Sequence, residues 1–399
     1  MAGPLDGIRV IECSTVALGP WAAQTLGDLG ADVIKIESET GDTTRYLGPA
    51  RHEKMASFYL GCNRNKRSIV LDLKSDDGRE ALYALARTAD VVLHNFRKAP
   101  AKRLGLTYAQ LSNVNPSIIC AAAYGYRAEG PMGARAAYDD IIQAGTGMAA
   151  LQSVIDGEPR FVPSVVADKT TSQAFTIAIL AALVERERSG SGQDIEVPMF
   201  ETLVANVMVE HLFGETFLPS LGTAGYKRIL NSERRPYRTK DGFFALLPYT
   251  DAHWQEFSAK VGRPELGEDE RFLTLQSRLK YVEEYYALLG EIAATRTNAE
   301  WSSLLADSNI PHGPVNTLEE LFENEQLNAT NFWMEVEHPT EGRLRMTDIP
   351  QRFSRTPAEI RRLQPRLGEN SAEVLKEAGY SDEDIARLVD AGVTNQWAQ

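Results

Sequence analysis

The chain is poor in several things, and each shortage excludes something. Only three of its 399 residues are cysteine, Cys13, Cys62 and Cys120, an odd number without C-x-x-C or metal spacing. They read as reduced thiols used mainly for packing. The six histidines, His52, His94, His211, His253, His312 and His338, are scattered, so no metal site is expected. No apolar run approaches the roughly 20 residues of a membrane span; the longest, Ala174 to Val184, already includes Thr176. The N-terminus, Met1 to Val10, meets charge at once and lacks an apolar signal core, so a cytoplasmic protein with no membrane partner is expected. Positive charge is in deficit, with 42 Lys plus Arg against 55 Asp plus Glu and a net charge of -13. That balance argues against a nucleic-acid partner, though not against a local basic pocket for one small anion. The chain also has no Gly-Gly pair and no internal repeat.

What is present reads as an ordinary globular chain, 43% hydrophobic and 24% charged, long enough for two or three domains. Its opening is periodic. Gly7 to Glu12 is a β-branched apolar run, Trp21 to Leu29 a helix with Pro20 in its first turn and Gly30 as its cap, and Asp32 to Glu37 a second strand. Ser68 to Leu73 (strand), Ser75 to Ala89 (helix capped by Ser75), Val91 to His94 and Ile118 to Tyr124 (strands) continue the alternation. The pattern predicts a doubly wound α/β domain with a parallel sheet. A dinucleotide loop does not accompany it: the first strand-to-helix turn, Cys13 to Pro20, contains one glycine where G-x-G-x-x-G needs three. That argues against a nicotinamide or flavin site.

The strongest helix signal runs from Asp168 to Glu187, with Ser189-Gly-Ser-Gly192 ending it. Gln193 to Val197 reads as a strand and Met199 to Phe213 as a helix. Residues 214–236, rich in Gly, Arg, Ser and Pro, mark a crossing into an α+β domain. That domain has a strand at Gly242 to Leu247 and helices at His253 to Gly262, Leu279 to Thr295 and Asn298 to Leu305. Further on, a helix is expected at Leu318 to Asn324, a hairpin around Pro339 to Gly342, and two short helices between Glu373 and Leu388. Asp168, where the run Phe161 to Ala167 meets the long helix, is the first chemical candidate. It fits an ordinary N-cap, and equally a nucleophilic carboxylate oriented by helix amides; spacing leaves both open.

Segments spread over nearly the whole chain carry a resemblance. They are Pro4-Leu-Asp-Gly-Ile-Arg-Val, Gly30-Ala-Asp-Val-Ile-Lys-Ile-Glu37, Asn65-Lys-Arg-Ser-Ile-Val-Leu-Asp-Leu-Lys74, Ala89-Asp-Val-Val-Leu-His-Asn-Phe96 and Ala137-Tyr-Asp-Asp140. Leu183 to Val197, Pro236-Tyr-Arg-Thr-Lys-Asp-Gly242 and Pro311-His-Gly-Pro-Val315 complete the set. In this order and spacing the chain resembles the class III coenzyme A transferases, the family of formyl-CoA transferase, carnitine CoA-transferase and the 2-methylacyl-CoA racemases. The resemblance implies an interlocked homodimer whose chains each have a Rossmann-like large domain and a smaller α+β domain. The corresponding boundaries are 1–224 for the first part of the large domain, 225–325 for the small one and 326–399 for the return to the large one. It implies Asp168 as the nucleophile, and coenzyme A contacts at Thr15, Val16, Leu71, Asp72, Leu73, Lys74, Asn95, Phe96, Arg103 and Tyr138. The partners it implies are an acyl-CoA and a carboxylic acid, with no metal and no further cofactor.

Within that resemblance, departures narrow the chemistry. Formyl-CoA transferases carry glutamine where this chain has Ala17, arginine at Ser38, and a glycine-run loop that is missing here, which argues against oxalate and formyl-CoA. Racemases carry a histidine where this chain has Tyr138, because moving an α-proton between two faces needs a base on each. Tyrosine is a poor base near neutrality, so transfer is expected, with racemisation or non-catalytic CoA binding as the alternatives. Arg45, with Asp139 beside Tyr138, is expected at the acceptor. Together with Arg228, Arg234 and Arg235 it predicts a short dicarboxylate such as succinate or a C5 homologue, since arginine suits a second carboxylate better than an alkyl tail.

Overall fold

The computed structural model describes residues 3–395. Six strands form its main sheet: β1 (Arg9–Cys13), β2 (Asp32–Glu37), β3 (Lys66–Val70), β4 (Val91–His94), β5 (Ile119–Tyr124) and β6 (Asp194–Pro198). They are ordered β3-β2-β1-β4-β5-β6, with every pair parallel. Parallel strands are buried on both faces, so they read as nearly continuous apolar runs. Val91-Val-Leu-His94 and Ile119-Cys-Ala-Ala-Ala-Tyr124 are buried at every position. The order reverses between β1 and β4, and such a switch opens a crevice beyond the carboxyl ends of the strands.

Capping follows local chemistry. Ser75 accepts the Gly78 N–H at 3.0 Å and starts the helix Asp76–Ala86. Gly190, at φ 73°, ends the long helix Val166–Ser189 in the left-handed conformation that glycine adopts without strain. Asp168 is not the cap of that helix. The cap position is Val165, and Asp168 is the third helical residue. A helix not anticipated, Asp139–Gly145, precedes it.

The strands β1 to β3 also bury charge. Lys35 Nζ lies 2.9 Å from Glu12 and 3.0 Å from Asp42, and Lys66 Nζ lies 2.7 Å from Glu12, all of these side chains being inaccessible. Burial alone would lower the Lys35 pKa, but Glu12 and Asp42 outweigh it and hold the ammonium charged. For Lys66 burial wins and brings the pKa down to about 8.

The chain divides into two compact units. The larger contains residues 3–148, 161–207 and 329–395, including the antiparallel hairpin β10 (Trp333–His338) and β11 (Gly342–Thr347) once the small sheet's strands are counted. The smaller contains 149–160 and 208–328, so it begins before the expected 225 and includes a segment that composition does not mark. Its sheet is antiparallel, β7 (Tyr237–Arg238), β8 (Phe243–Leu246) and β9 (His312–Pro314). Its core is aromatic: Trp254, Phe257, Phe272, Tyr285 and Trp301 pack with Phe244. Both indole N–H groups are satisfied, by Leu266 O and Ala293 O, each at 2.9 Å. No helix among the described residues is long and apolar enough to cross a membrane.

Candidate active site

At the carboxyl ends of β1, β4 and β5, a cavity of about 270 Å³ opens in the larger unit. Thr15, Val16 and Leu18 from the turn after β1 line it, with Asn95, Phe96, Arg97 and Pro100 from the segment after β4. Tyr124, Arg135, Tyr138, Met199 and Asp168 complete the polar and aromatic wall. The switch point is tied across the sheet. Asn95 Oδ1 accepts the Thr15 N–H at 3.2 Å, and Asn95 Nδ2 donates to Thr15 O at 2.7 Å.

Val16 has φ 70°, an unusual conformation for a β-branched residue. Its N–H donates to Asp42 Oδ1 at 3.1 Å, and Asp42 is itself held by Lys35 and by the Thr44 N–H and hydroxyl. The buried charges under β1 therefore hold the strained turn that enters the cavity. His94, at the end of β4, does not line the cavity. Burial lowers its pKa to about 4, and its Nδ1 accepts the Phe96 N–H.

Asp168 is 9% exposed. Among the described residues no hydrogen bond or ion pair reaches its carboxylate. Burial first, and the nearby Asp139 charge second, raise its pKa to about 7. Asp139 is 6% exposed; its Oδ1 accepts the Asp168 N–H at 3.0 Å and its Oδ2 accepts from Gln143 Nε2 at 2.6 Å. The Lys169 N–H is not free to stabilise an oxyanion, because it closes the first helical turn on Val165 O at 3.1 Å.

The expected residues therefore separate. Thr15, Val16, Asn95, Phe96, Tyr138 and Asp168 meet around one cavity, with Asp139 directly behind Asp168. Arg103 lines an adjoining recess of about 370 Å³ with Lys98, and the recess shares Arg97 and Pro100 with the cavity. Leu71, Asp72, Leu73 and Lys74 follow β3 and line neither space. Leu71 and Leu73 are buried in the sheet core, while Asp72 turns back to accept the Lys74 N–H.

Arg45 is a correction. It is 1% exposed, paired with Glu37 at 2.7 Å, bonded to Tyr59 Oη and Pro365 O, and stacked on the Tyr59 ring. It braces the turn after β2 and has no donors left for an acceptor acid. Arg228, Arg234 and Arg235 belong to the smaller unit; Arg228 stacks over Tyr249 and Arg235 pairs with Glu233. The arginines that do line the Asp168 cavity, Arg97 and Arg135, were not anticipated. Neither has a carboxylate partner among the described residues: Arg97 donates to Ala134 O, and Arg135 reaches Met132 Sδ at 3.7 Å. Arg97 could have been found, because it directly follows Asn95-Phe96; Arg135 sits in an aperiodic loop.

A buried aspartate thus stands at the switch point of a parallel sheet, beside a cationic recess. The model of CoA-transferase family III matches residues 5–371. The chain belongs to CoA-transferase family III. A succinate–glutarate CoA-transferase of Agrobacterium fabrum is 34% identical over 384 residues, covering 94% of this chain and 95% of its own length. A formyl-CoA:oxalate CoA-transferase of Streptomyces coelicolor is 32% identical over 413 residues, covering 98% and 99%. Among solved structures, a CaiB/BaiF family protein of Brucella suis superposes with a TM-score of 0.80 at 32% identity, over 95% of this chain and all of that one. The chain is thus a class III CoA-transferase with that family's mixed α/β fold.

Proposed function

We propose that this family III transferase moves coenzyme A between short dicarboxylic acids, with succinate and a C5 diacid such as glutarate as partners, through covalent intermediates on Asp168. The observation that carries this reading is the Asp168 carboxylate itself, buried, without a hydrogen bond, and facing the switch-point cavity. A carboxylate with a pKa of about 7 is more basic than an ordinary aspartate and still substantially ionised near neutrality, which favours attack on a thioester.

The Asp168 carboxylate attacks the thioester carbonyl, the C–S bond breaks, and CoA thiolate leaves a mixed anhydride. The thiolate then attacks the aspartyl carbonyl, the donor acid departs as carboxylate, and an aspartyl-CoA thioester remains. The acceptor carboxylate displaces the thiolate from that thioester, and thiolate attack on the acceptor carbonyl regenerates Asp168. Charge balances at each step, every C–S bond broken is matched by one formed later, and no atom changes oxidation state, so the sequence calls on no metal or redox group. Arg97, Lys98 and Arg103 line one recess and suit the phosphates of CoA, Lys98 by exchanging its ion pair with Glu129, at 2.6 Å, for a phosphate. Arg135, rather than Arg45, is the guanidinium suited to the far carboxylate of a diacid. The 34% identical Agrobacterium relative, named for succinate and glutarate, supports the same acids.

The test is exchange from succinyl-CoA to a panel of mono- and dicarboxylic acids, with mass spectrometry of the Asp168 peptide. Adducts on Asp168 and a preference for C4 and C5 diacids are expected. Arg135→Ala should weaken use of diacids by about 10- to 100-fold, the value of one charge-assisted contact. Preference for oxalate or for long monocarboxylates, unaffected by Arg135→Ala, would overturn the acid assignment; α-proton exchange without CoA exchange would overturn transfer.

We also propose the interlocked homodimer. Apolar side chains that a lone chain leaves bare support it, among them Ile177 and Val184 on the long helix and Val209 on the helix Met199–His211.

A further inference from the structure

Gln143 is completely buried, yet it is a polar residue on the short helix Asp139–Gly145 and no step of the chemistry above uses it. Its side-chain bonds go to Asp139 and to the stretch that leads into the helix carrying Asp168. Its Nε2 donates to Asp139 Oδ2 at 2.6 Å, four residues back on the same helix, and also lies 3.4 Å from Val162 O and 3.3 Å from Ser164 O. Its Oε1 accepts the Val162 N–H at 2.9 Å. The amide orientation follows from these partners: turned over, its oxygen would face a carboxylate and its NH2 a backbone N–H.

The two ends of this amide reach the nucleophile by different routes. Through Asp139 the route is direct, since the other Asp139 oxygen holds the Asp168 N–H at 3.0 Å. Through Val162 and Ser164 it fixes the stretch leading into the helix. There the Val166 N–H donates to Ser164 O and the Ser164 N–H to Val162 O, both at 2.7 Å, before Val166 opens the helix that carries Asp168. A Cβ carbon displaced at the start of that helix displaces the attacking carboxylate with it.

We propose that Gln143 is a positioning residue for acyl transfer, one side-chain amide that locks Asp139 and the 162–164 segment together so that Asp168 meets the thioester in a fixed geometry. This deepens the Asp168 reading above and rests on it. Gln143 does not touch substrate, so its removal affects the chemical step and not the binding of acyl-CoA.

The experiment compares Gln143→Met, which keeps volume and loses both contacts, with Gln143→Glu, which keeps the acceptor for the Val162 N–H and replaces the donor facing Asp139. Each variant is assayed for kcat and KM with succinyl-CoA and for adduct formation at Asp168. Both are expected to lose roughly tenfold to a hundredfold in kcat, as for a misplacement on the order of 1 Å, with KM within about threefold of the parent. A cycle with Asp139→Asn adds a second readout. If Gln143 acts through Asp139, Gln143→Met in that background lowers kcat much less than it does alone.

Unchanged kcat in both folded variants, a rise in KM alone, or additive effects in the cycle would overturn the proposal. Should Gln143→Met fail to fold, Gln143→Glu and the cycle built on it decide the matter. Failure of the underlying reading looks different: the unmodified enzyme would form no adduct on Asp168 and Asp168→Asn would remain active.

Discussion

At the scale of single residues, Asp168 shows how a site opposes stability. Its pKa lies at about 7 in the folded chain against an ordinary 3.8. Below about pH 4 both folded and unfolded states hold the proton, and the raised pKa costs nothing. Between about pH 4 and 7 the unfolded chain ionises first, so this residue's contribution to stability falls as pH rises, and above 7 the loss is complete. Asp168→Asn removes that loss. It is expected to abolish CoA exchange while unfolding later than the parent at pH 8, by about 1–3 kcal/mol, with the difference shrinking toward pH 4. Thermal melts across that range check the stability claim. For the parent enzyme kcat/KM should rise with pH through about 7, since only the carboxylate attacks. A flat profile from pH 5 to 9 would show that another group carries the chemistry.

At the scale of elements, the turns after β1 and β2 are built from buried charge. Glu37 and Arg45 form one pair, and Glu12, Lys35, Asp42 and Lys66 form the cluster that reaches Val16. Removing one partner of a buried pair leaves an uncompensated charge, which costs more than the pair contributes. Arg45→Met is therefore expected to destabilise the fold by about 3–5 kcal/mol, read as a lower denaturant midpoint. The surviving folded enzyme should keep its preference among acids, because Arg45 faces Glu37, Tyr59 and Pro365 and not the cavity. The helix Asp139–Gly145 was illegible for a different reason. It has seven residues, too few for a period to emerge, and it opens on Tyr138 with no side-chain cap.

At the scale of the molecule, the two-unit division crosses the chain order. Residues 149–160 pack with 208–328, although the turn signals around them, Gly147 and Asp156-Gly157, do not say which unit they join. The interlocked dimer proposed above makes a kinetic prediction. Chains threaded through one another exchange only by unfolding, so mixing tagged and untagged protein under native conditions should give no hybrid dimers over hours, while refolding the mixture should give them. Free exchange at native conditions would indicate a side-by-side dimer, and a single-chain mass in scattering would indicate none.

Periodicity and local chemistry were sufficient for the parallel sheet. The strands Val91 to His94 and Asp32 to Glu37 and the cap at Ser75 are legible in the residues themselves, because each depends on neighbours within a few positions. Asp168 stood out because it lies beside a strong helix signal, and the ordered segments identified the family. What the sequence did not disclose is where each cation ends. Arg45 and Arg135 look alike as letters, yet one is enclosed by Glu37 and Tyr59 and the other lines the cavity. Gln143 likewise acquires its place only when residues 139, 162 and 168 are brought within hydrogen-bonding distance. Burial and partner choice are set by contacts between distant parts of the chain, and those contacts leave no period or spacing in the sequence to be read.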